Sequence, residues 1–185
     1  MPAPLVDIVN RDNQPLGLSV EPEHAARYGQ WFRGVHVLVY TRDGYVLVER
    51  RASRLLFRPN DLDLSLGGLV DAGETPEAAA IRELYEEVGL IVQPEQLKLV
   101  SVARYNRRWP RLHKTARNIM YHYLVELPNR DVPMQLERHE VAAAEFIPVR
   151  DAWHLVHQHT LRRLGRISGR YRMYDHLLSR LPPSV

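Results

Sequence analysis

Glu83, Glu86 and Glu87 sit at the spacing i, i+3, i+4. On a helix that spacing projects three carboxylates from one side. Like charges that close repel, and a hard divalent cation would resolve the conflict, because Mg²⁺ and Mn²⁺ favour carboxylate, carbonyl and water oxygens. A few carboxylates plus substrate phosphates is the usual way Mg²⁺ is held in phosphate chemistry. A solvated acidic helix face is the plainer reading of an isolated E-x-x-E-E, so the surroundings decide.

The surroundings predict a helix built to present those groups. Ile81, Leu84, Tyr85 and Val88 repeat at i, i+3, i+4, i+7 and predict an apolar face opposite the carboxylates. Thr75 suits the N-cap, Pro76 the first helical position, and Glu77 the first turn, while Gly89 marks the stop. Just ahead, Gly67-Gly68 lets the backbone approach a ligand closely.

Gly68, Glu74 and the run Arg82-Glu83-Leu84-Tyr85-Glu86-Glu87-Val88-Gly89-Leu90 fill every defined position of G-x5-E-x7-R-E-U-x-E-E-x-G-U, with U aliphatic. The segment resembles the Nudix box, and the resemblance implies a loop–helix–loop that binds divalent metal and pyrophosphate. It implies Glu83 and Glu87 as principal ligands of Mg²⁺ or Mn²⁺, Glu86 contributing directly or through water, and the Gly67 carbonyl as a further donor. Arg82 and Glu74 would form an ion pair fixing loop against helix, with Gly68 and Gly89 as structural members of the box. A late loop in this family often brings another glutamate to the metals. Glu140 is the first candidate here and Glu137 the second. Glu87 and Glu140 are both options for the base that deprotonates water, and the sequence does not choose between them. Arg51, closing a strand, would face substrate phosphates, since guanidinium matches phosphate oxygens bidentately.

The implied reaction is Mg²⁺-dependent hydrolysis of a pyrophosphate bond in a nucleoside diphosphate linked to X, or in another small diphosphate. The lead-in VDIVNRDNQPLG and the phrase LDLSLGGLVDAGET are similar to the Nudix branch containing isopentenyl-diphosphate isomerases and their hydrolase relatives, over roughly residues 5 to 150. An isomerase needs a cysteine acid/base, and this chain has none. Gly67 stands in the cysteine's place, and Leu69 and Phe32 stand where histidine ligands are expected. The other rival is a nucleotide-binding module without catalysis. Such modules typically lose box glutamates, which are all present here.

A chain of 185 residues with balanced composition predicts one domain, with a core over about 5–150 and a C-terminal helical extension over 151–185. Without cysteine there is no disulfide, thiol nucleophile or thiolate metal site. No basic segment followed by an apolar run opens the chain, and no stretch of about 18 apolar residues occurs. The expectation is a cytoplasmic protein away from membranes. A formal charge of +3 favours anionic substrates.

In chain order, the pattern predicts strands at Leu5–Val9 and Leu16–Val20, and a short helix over Glu21–Gly29. A hairpin follows, Gly34–Tyr40 and Tyr45–Glu49 around Asp43-Gly44. Leu55, Leu56 and Phe57 are expected to tuck under a loop before a strand over Leu62–Leu66. Beyond the box helix come strands Leu97–Tyr105 and Thr115–Leu127, a polar loop over Pro128–His139, a strand Ala144–Val149 and helices over Arg150–Leu164 and Arg170–Leu181. These elements predict an α/β/α sandwich with a mixed sheet, in agreement with the Nudix fold. The stretch between Arg104 and Arg117, with Tyr105, Arg107, Arg108, Trp109, Arg111, His113 and Lys114, reads as a solvated hairpin loop or as a surface for a nucleotide or RNA. A small-molecule substrate is favoured over RNA. His154, His157 and His159 cannot share one helix face, which argues against a metal site there. The stripe Tyr171, Tyr174, Leu177, Leu178, Leu181 would pack onto the domain or meet a second copy in a homodimer.

Overall fold

Antiparallel hairpins and one long parallel pairing build the sheet that carries the site. The computed structural model describes residues 4–55, 58–109, 114–158, 160–161, 165–166 and 171–182. The strands are β1 (Val6–Val9), β2 (Pro15–Val20), β3 (Trp31–Thr41), β4 (Tyr45–Arg51), β5 (Leu62–Asp63), β6 (Leu97–Trp109), β7 (Lys114–Leu127), β8 (Val141–Pro148), β9 (Thr160–Leu161) and β10 (Gly165–Arg166). The helices are α1 (Pro22–Tyr28), α2 (Pro76–Val88), α3 (Val149–Gln158) and α4 (Tyr171–Leu178), with a 3₁₀ turn at Pro94–Gln96. Strand order runs β2-β1-β3-β4-β5; β7 pairs in parallel with β3 and antiparallel with β6, and β8 pairs antiparallel with β4. β9 and β10 form a separate two-stranded ribbon.

Strand alternation sends β3 side chains to opposite faces. Val35, Val37 and Val39 join Ala79, Ala80, Leu84 and Val88 of α2 in one core. Leu38 and Tyr40 join Ala152 and Leu155 of α3 and Tyr174 and Leu177 of α4 in the other. A third cluster, Val6, Ile8, Ala25 and Phe32, holds α1 against β1 and β3. A mixed sheet with helices on both faces is the predicted α/β/α sandwich.

Several boundaries differ from the sequence pattern. Only Leu62–Asp63 pairs as a strand, and Leu66 instead exchanges hydrogen bonds with Val37 at 2.8 and 3.0 Å. The segment therefore leaves the β4 edge for β3 before reaching the glycines. The β6–β7 hairpin runs on through its basic residues, with Arg107 opposite Ala116 and Arg108 opposite Thr115. Backbone pairing is indifferent to side-chain charge when long side chains can reach solvent. β8 starts at Val141 rather than Ala144, and α3 ends at Gln158. The tail helix packs on the sheet, where the buried Tyr174 hydroxyl donates to Asp63. Leu56, Phe57, Arg111, His113 and His159 lie outside the described residues, as do the side chains of Trp109 and Tyr171. His154 and His157 are exposed, and His157 lies 3.4 Å from Asp175. Among the described residues no helix is long and apolar enough to cross a membrane.

Candidate active site

The loop before α2 is hung directly on β3. The Val35 N–H donates to the Gly68 carbonyl at 2.9 Å and the Val37 N–H to Leu66 at 2.8 Å. The approach is so close that side chains are excluded. A Cβ on Gly67, whose φ is +144°, would lie 2.2 Å from the Val35 carbonyl oxygen, and one on Gly68 would lie 2.3 Å from Glu83 Oε1. These glycines let the backbone run between β3 and the carboxylates of α2.

α2 begins and ends where its capping residues predict. Thr75 Oγ1 accepts from the Ala78 N–H at 3.2 Å, and Gly89 closes the helix in the left-handed region at φ 73°. The buried face needs correcting: it comprises Ala79, Ala80, Glu83, Leu84, Glu87 and Val88. Ile81 is half-buried, and Tyr85, expected in the core, is 61% exposed. At about 100° per residue, positions 80, 83, 84 and 87 share one arc. Glu83 and Glu87 therefore look inward beside Leu84, and of the three glutamates only Glu86 is exposed.

Arg82 ties this face to the loop. Its Nε and Nη2 donate to the two Glu74 oxygens at 3.0 and 2.9 Å, and Nη2 also reaches the Leu69 carbonyl at 2.9 Å. Nη1 donates to Glu83 Oε1 and Glu86 Oε2, each at 2.9 Å. Glu74 also accepts from the Asp71 N–H at 3.1 Å. One fork-shaped guanidinium thus fixes the loop and aims two of the carboxylates.

The electrostatics are those of buried acids crowded together. Burial pushes the Glu83 carboxyl up to about 7, with Arg82 opposing and the charges of Glu86 and Glu140 adding. Glu87 is pushed well above the usual carboxylate range, first by burial and then by the charges of Glu49 and Glu83. The Gly67 N–H, 3.0 Å from Glu87 Oε2, works the other way. Gly67 thus meets Glu87 through its amide.

Glu49 is the site residue that sequence reading passed over. It is buried on β4 and, by alternation, shares the α2-facing side with Leu47. The available signal was an acid at a core-facing position of the run Val46-Leu47-Val48-Glu49. Arg51, on the same face two residues on, is half-buried with Nη1 3.8 Å from Glu49. Glu140 is exposed, but its charge reaches both Glu83 and Glu87. Glu137 turns back into its own loop, accepting from the N–H groups of His139 and Glu140 at 2.7 and 2.9 Å. That loop also caps α2: the Gln135 and Glu137 N–H groups donate to the Val88 and Glu87 carbonyls, both at 2.9 Å.

No three His, Cys, Asp or Glu side chains among the described residues already converge as a metal cage. Mg²⁺ does not need one, because it keeps several waters and is typically held by one or two carboxylates with substrate phosphates. The hard oxygens of Glu83, Glu87 and Glu49, burdened by each other's charge, fit such a cation.

A mixed sheet between helix layers thus carries a glycine loop and a helix with buried glutamates. The NUDIX domain family matches residues 30–166, and the chain belongs to that family. It is 30% identical over 147 residues to the uncharacterized Nudix hydrolase PA4841 of Pseudomonas aeruginosa, covering 78% of this chain and 79% of that one. It is 36% identical over 103 residues to the uncharacterized Nudix hydrolase orf19 of Rhodococcus erythropolis, spanning 54% of this chain and 55% of that protein. Among solved structures, DR0079 from Deinococcus radiodurans superposes with a TM-score of 0.66 at 22% identity, covering 95% of this chain and 98% of that one. The NUDIX domain of Shewanella oneidensis NrtR, complexed with ADP-ribose, superposes at 0.59 with 16% identity, covering 81% and 88%. A Caenorhabditis elegans Ap4A hydrolase superposes at 0.51 with 17% identity, covering 80% and 95%. The protein is a Nudix pyrophosphohydrolase.

Proposed function

We propose that the chain is a single Nudix domain that hydrolyses, with Mg²⁺, the pyrophosphate bond of a nucleoside diphosphate linked to X. The observation that carries this reading is the inward pair Glu83 and Glu87 beside a glycine loop, Glu83 held by Arg82 and Glu87 by the Gly67 N–H. The ligands named for the structural relatives, ADP-ribose and Ap4A, both contain a nucleoside diphosphate unit, which supports the substrate class.

Glu83 and Glu87 would hold the cation, with Glu86 at the exposed rim acting through water and the Gly67 carbonyl as a further donor. The Glu49 charge reaches Glu87 and would strengthen the pull on the metal. When bound, Mg²⁺ neutralises phosphate charge and lowers the pKa of a coordinated water. Arg51 would steady the substrate phosphates. Glu87 is buried and already accepts the Gly67 N–H, which suits a ligand. Glu140 stands exposed within electrostatic reach of the pair and suits a base taking the proton of the attacking water.

The test is a screen of purified protein with Mg²⁺ and with Mn²⁺ against ADP-ribose, Ap4A and sugar nucleotides, following release of nucleoside monophosphate. Turnover of at least one class is expected, and it should disappear in EDTA. Failure of every class with both metals would overturn the reading.

A further inference from the structure

The sheet carries a cationic feature, at the start of β3, that the hydrolytic machinery does not use. Strands β6, β7 and β3 lie side by side, with Asn106 in register with Arg117 and Arg117 in register with Trp31. Side chains in register project to the same face. These three therefore form a row, and Arg104 lies two residues along β6 on the same face. Arg11, from the turn between β1 and β2, completes a cleft of about 520 Å³ lined by these five residues.

Positive charge dominates the cleft. Arg104 is 3.6 Å from Asp12, a largely exposed carboxylate, and also donates to the Arg11 carbonyl at 3.3 Å. Arg117 Nη1 donates to the Gly29 carbonyl at 2.9 Å, while its buried Nε has no hydrogen-bond partner among the described residues. Among the described residues, three arginines line the cleft, and Asp12 is the acid within ion-pair reach of one of them. Along β3, Arg33 lies between Trp31 of the cleft and Val35, whose N–H holds the Gly68 carbonyl. Arg33 donates to Asn13 at 2.8 and 2.9 Å, and Asn13 donates to the Tyr121 hydroxyl at 2.5 Å. Further along β7, the Tyr123 hydroxyl donates to Glu77 of α2 at 3.1 Å.

We propose that this cleft binds a free nucleotide at a site separate from the hydrolytic carboxylates. Guanidiniums match phosphate oxygens, and three of them suit a di- or triphosphate. The Trp31 indole offers a face for a base, and the Asn106 amide offers both a donor and an acceptor for its edge. The volume falls within the roughly 300–1,000 Å³ of small-molecule sites. A single-stranded nucleic acid would call for successive aromatic platforms along a groove, whereas the cleft presents one indole.

Calorimetric titration of the full chain with ADP, CDP, GDP, UDP and inorganic pyrophosphate in turn, all in EDTA, tests the proposal. EDTA removes the cation that would draw phosphates to the glutamates. At least one nucleotide should bind. Arg11→Glu with Arg104→Glu should weaken it roughly tenfold or more, and Glu87→Gln should leave it unchanged. Trp31→Ala should weaken the nucleotide but not pyrophosphate. Arg11 lies on an exposed turn, so Arg11→Glu alone serves if the double variant fails to fold. The proposal is overturned if no nucleotide binds at millimolar concentration, if the arginine variants bind like the parent, or if Glu87→Gln abolishes binding. It is also overturned if Trp31→Ala changes nothing, or if a short oligouridylate binds while no mononucleotide does. Because every titration is metal-free, failure here and failure of hydrolysis are separate results.

Discussion

Glu49 on β4 and Glu87 on α2 are buried acids from adjacent layers of the sandwich that feel each other's charge. After burial itself, the Glu49 charge is the largest influence raising the Glu87 carboxyl. A strand and a helix far apart in sequence thus meet in a single electrostatic site. Glu49→Gln should weaken Mn²⁺ binding by roughly 10- to 100-fold, the range seen for residues that support metal ligands. Calorimetry with Mn²⁺ checks this, and parent-like affinity in a folded variant would remove Glu49 from the site.

Glu87→Gln should lower turnover by about 10²-fold or more under saturating Mg²⁺, as removal of a ligand or acid–base group typically does. Circular dichroism should show the fold intact, because the amide oxygen can still accept the Gly67 N–H. Unchanged turnover would refute the role assigned to Glu87.

The same buried acids govern how metal-free stability responds to pH. Glu83 has its folded value raised from 4.5 to about 7. Between those values the unfolded chain has lost the proton that the folded chain keeps, so the folded state binds more protons. Stability therefore falls as pH rises through this window and levels off above it, by an amount on the order of 3 kcal/mol for this group. Glu87 is shifted in the same direction. In EDTA, the Tm advantage of Glu87→Gln over the parent should accordingly grow from pH 4.5 to pH 8. A difference that shrank over that range would contradict the assignment.

Gly68→Ala is a probe of the close approach between loop and helix. Its Cβ would sit 2.3 Å from Glu83 Oε1 and 2.6 Å from Cδ, so the carboxylate must swing away and disturb its bond to Arg82. Displacing a catalytic group by about 1 Å can cost on the order of 10²-fold in rate. Steady-state kinetics should show kcat falling at least tenfold, and a kcat equal to the parent's would mean that the position of Glu83 does not matter.

Much of the catalytic scaffold is written locally. Thr75, Pro76 and Gly89 bound α2 because capping depends on groups within a few residues of the helix ends. The Glu74–Arg82 pair and the glycine loop follow from the box spacing, and Asp43-Gly44 from turn chemistry. The tail stripe correctly signalled a buried face, with Tyr174 and Leu177 fully enclosed. What a helical period cannot register is the company a side chain keeps. The inward turn of Glu83 and Glu87, the exposure of Tyr85 and the partnership with Glu49 depend on how α2 lies over β3 and β4.

The arginine cleft makes the same point over a greater separation. Within the stretch from Arg104 to Arg117, sequence marks charge and aromatic rings without saying which side chains share a face. Pairing β6 with β7, and β7 with β3, lines up Asn106, Arg117 and Trp31 and lets the β1–β2 turn bring in Arg11. Sequence alone determined the helix, its caps and its family of chemistry, because near neighbours set those. Tertiary structure decided which charges are buried together, because burial and charge coupling depend on distances in space between residues remote along the chain.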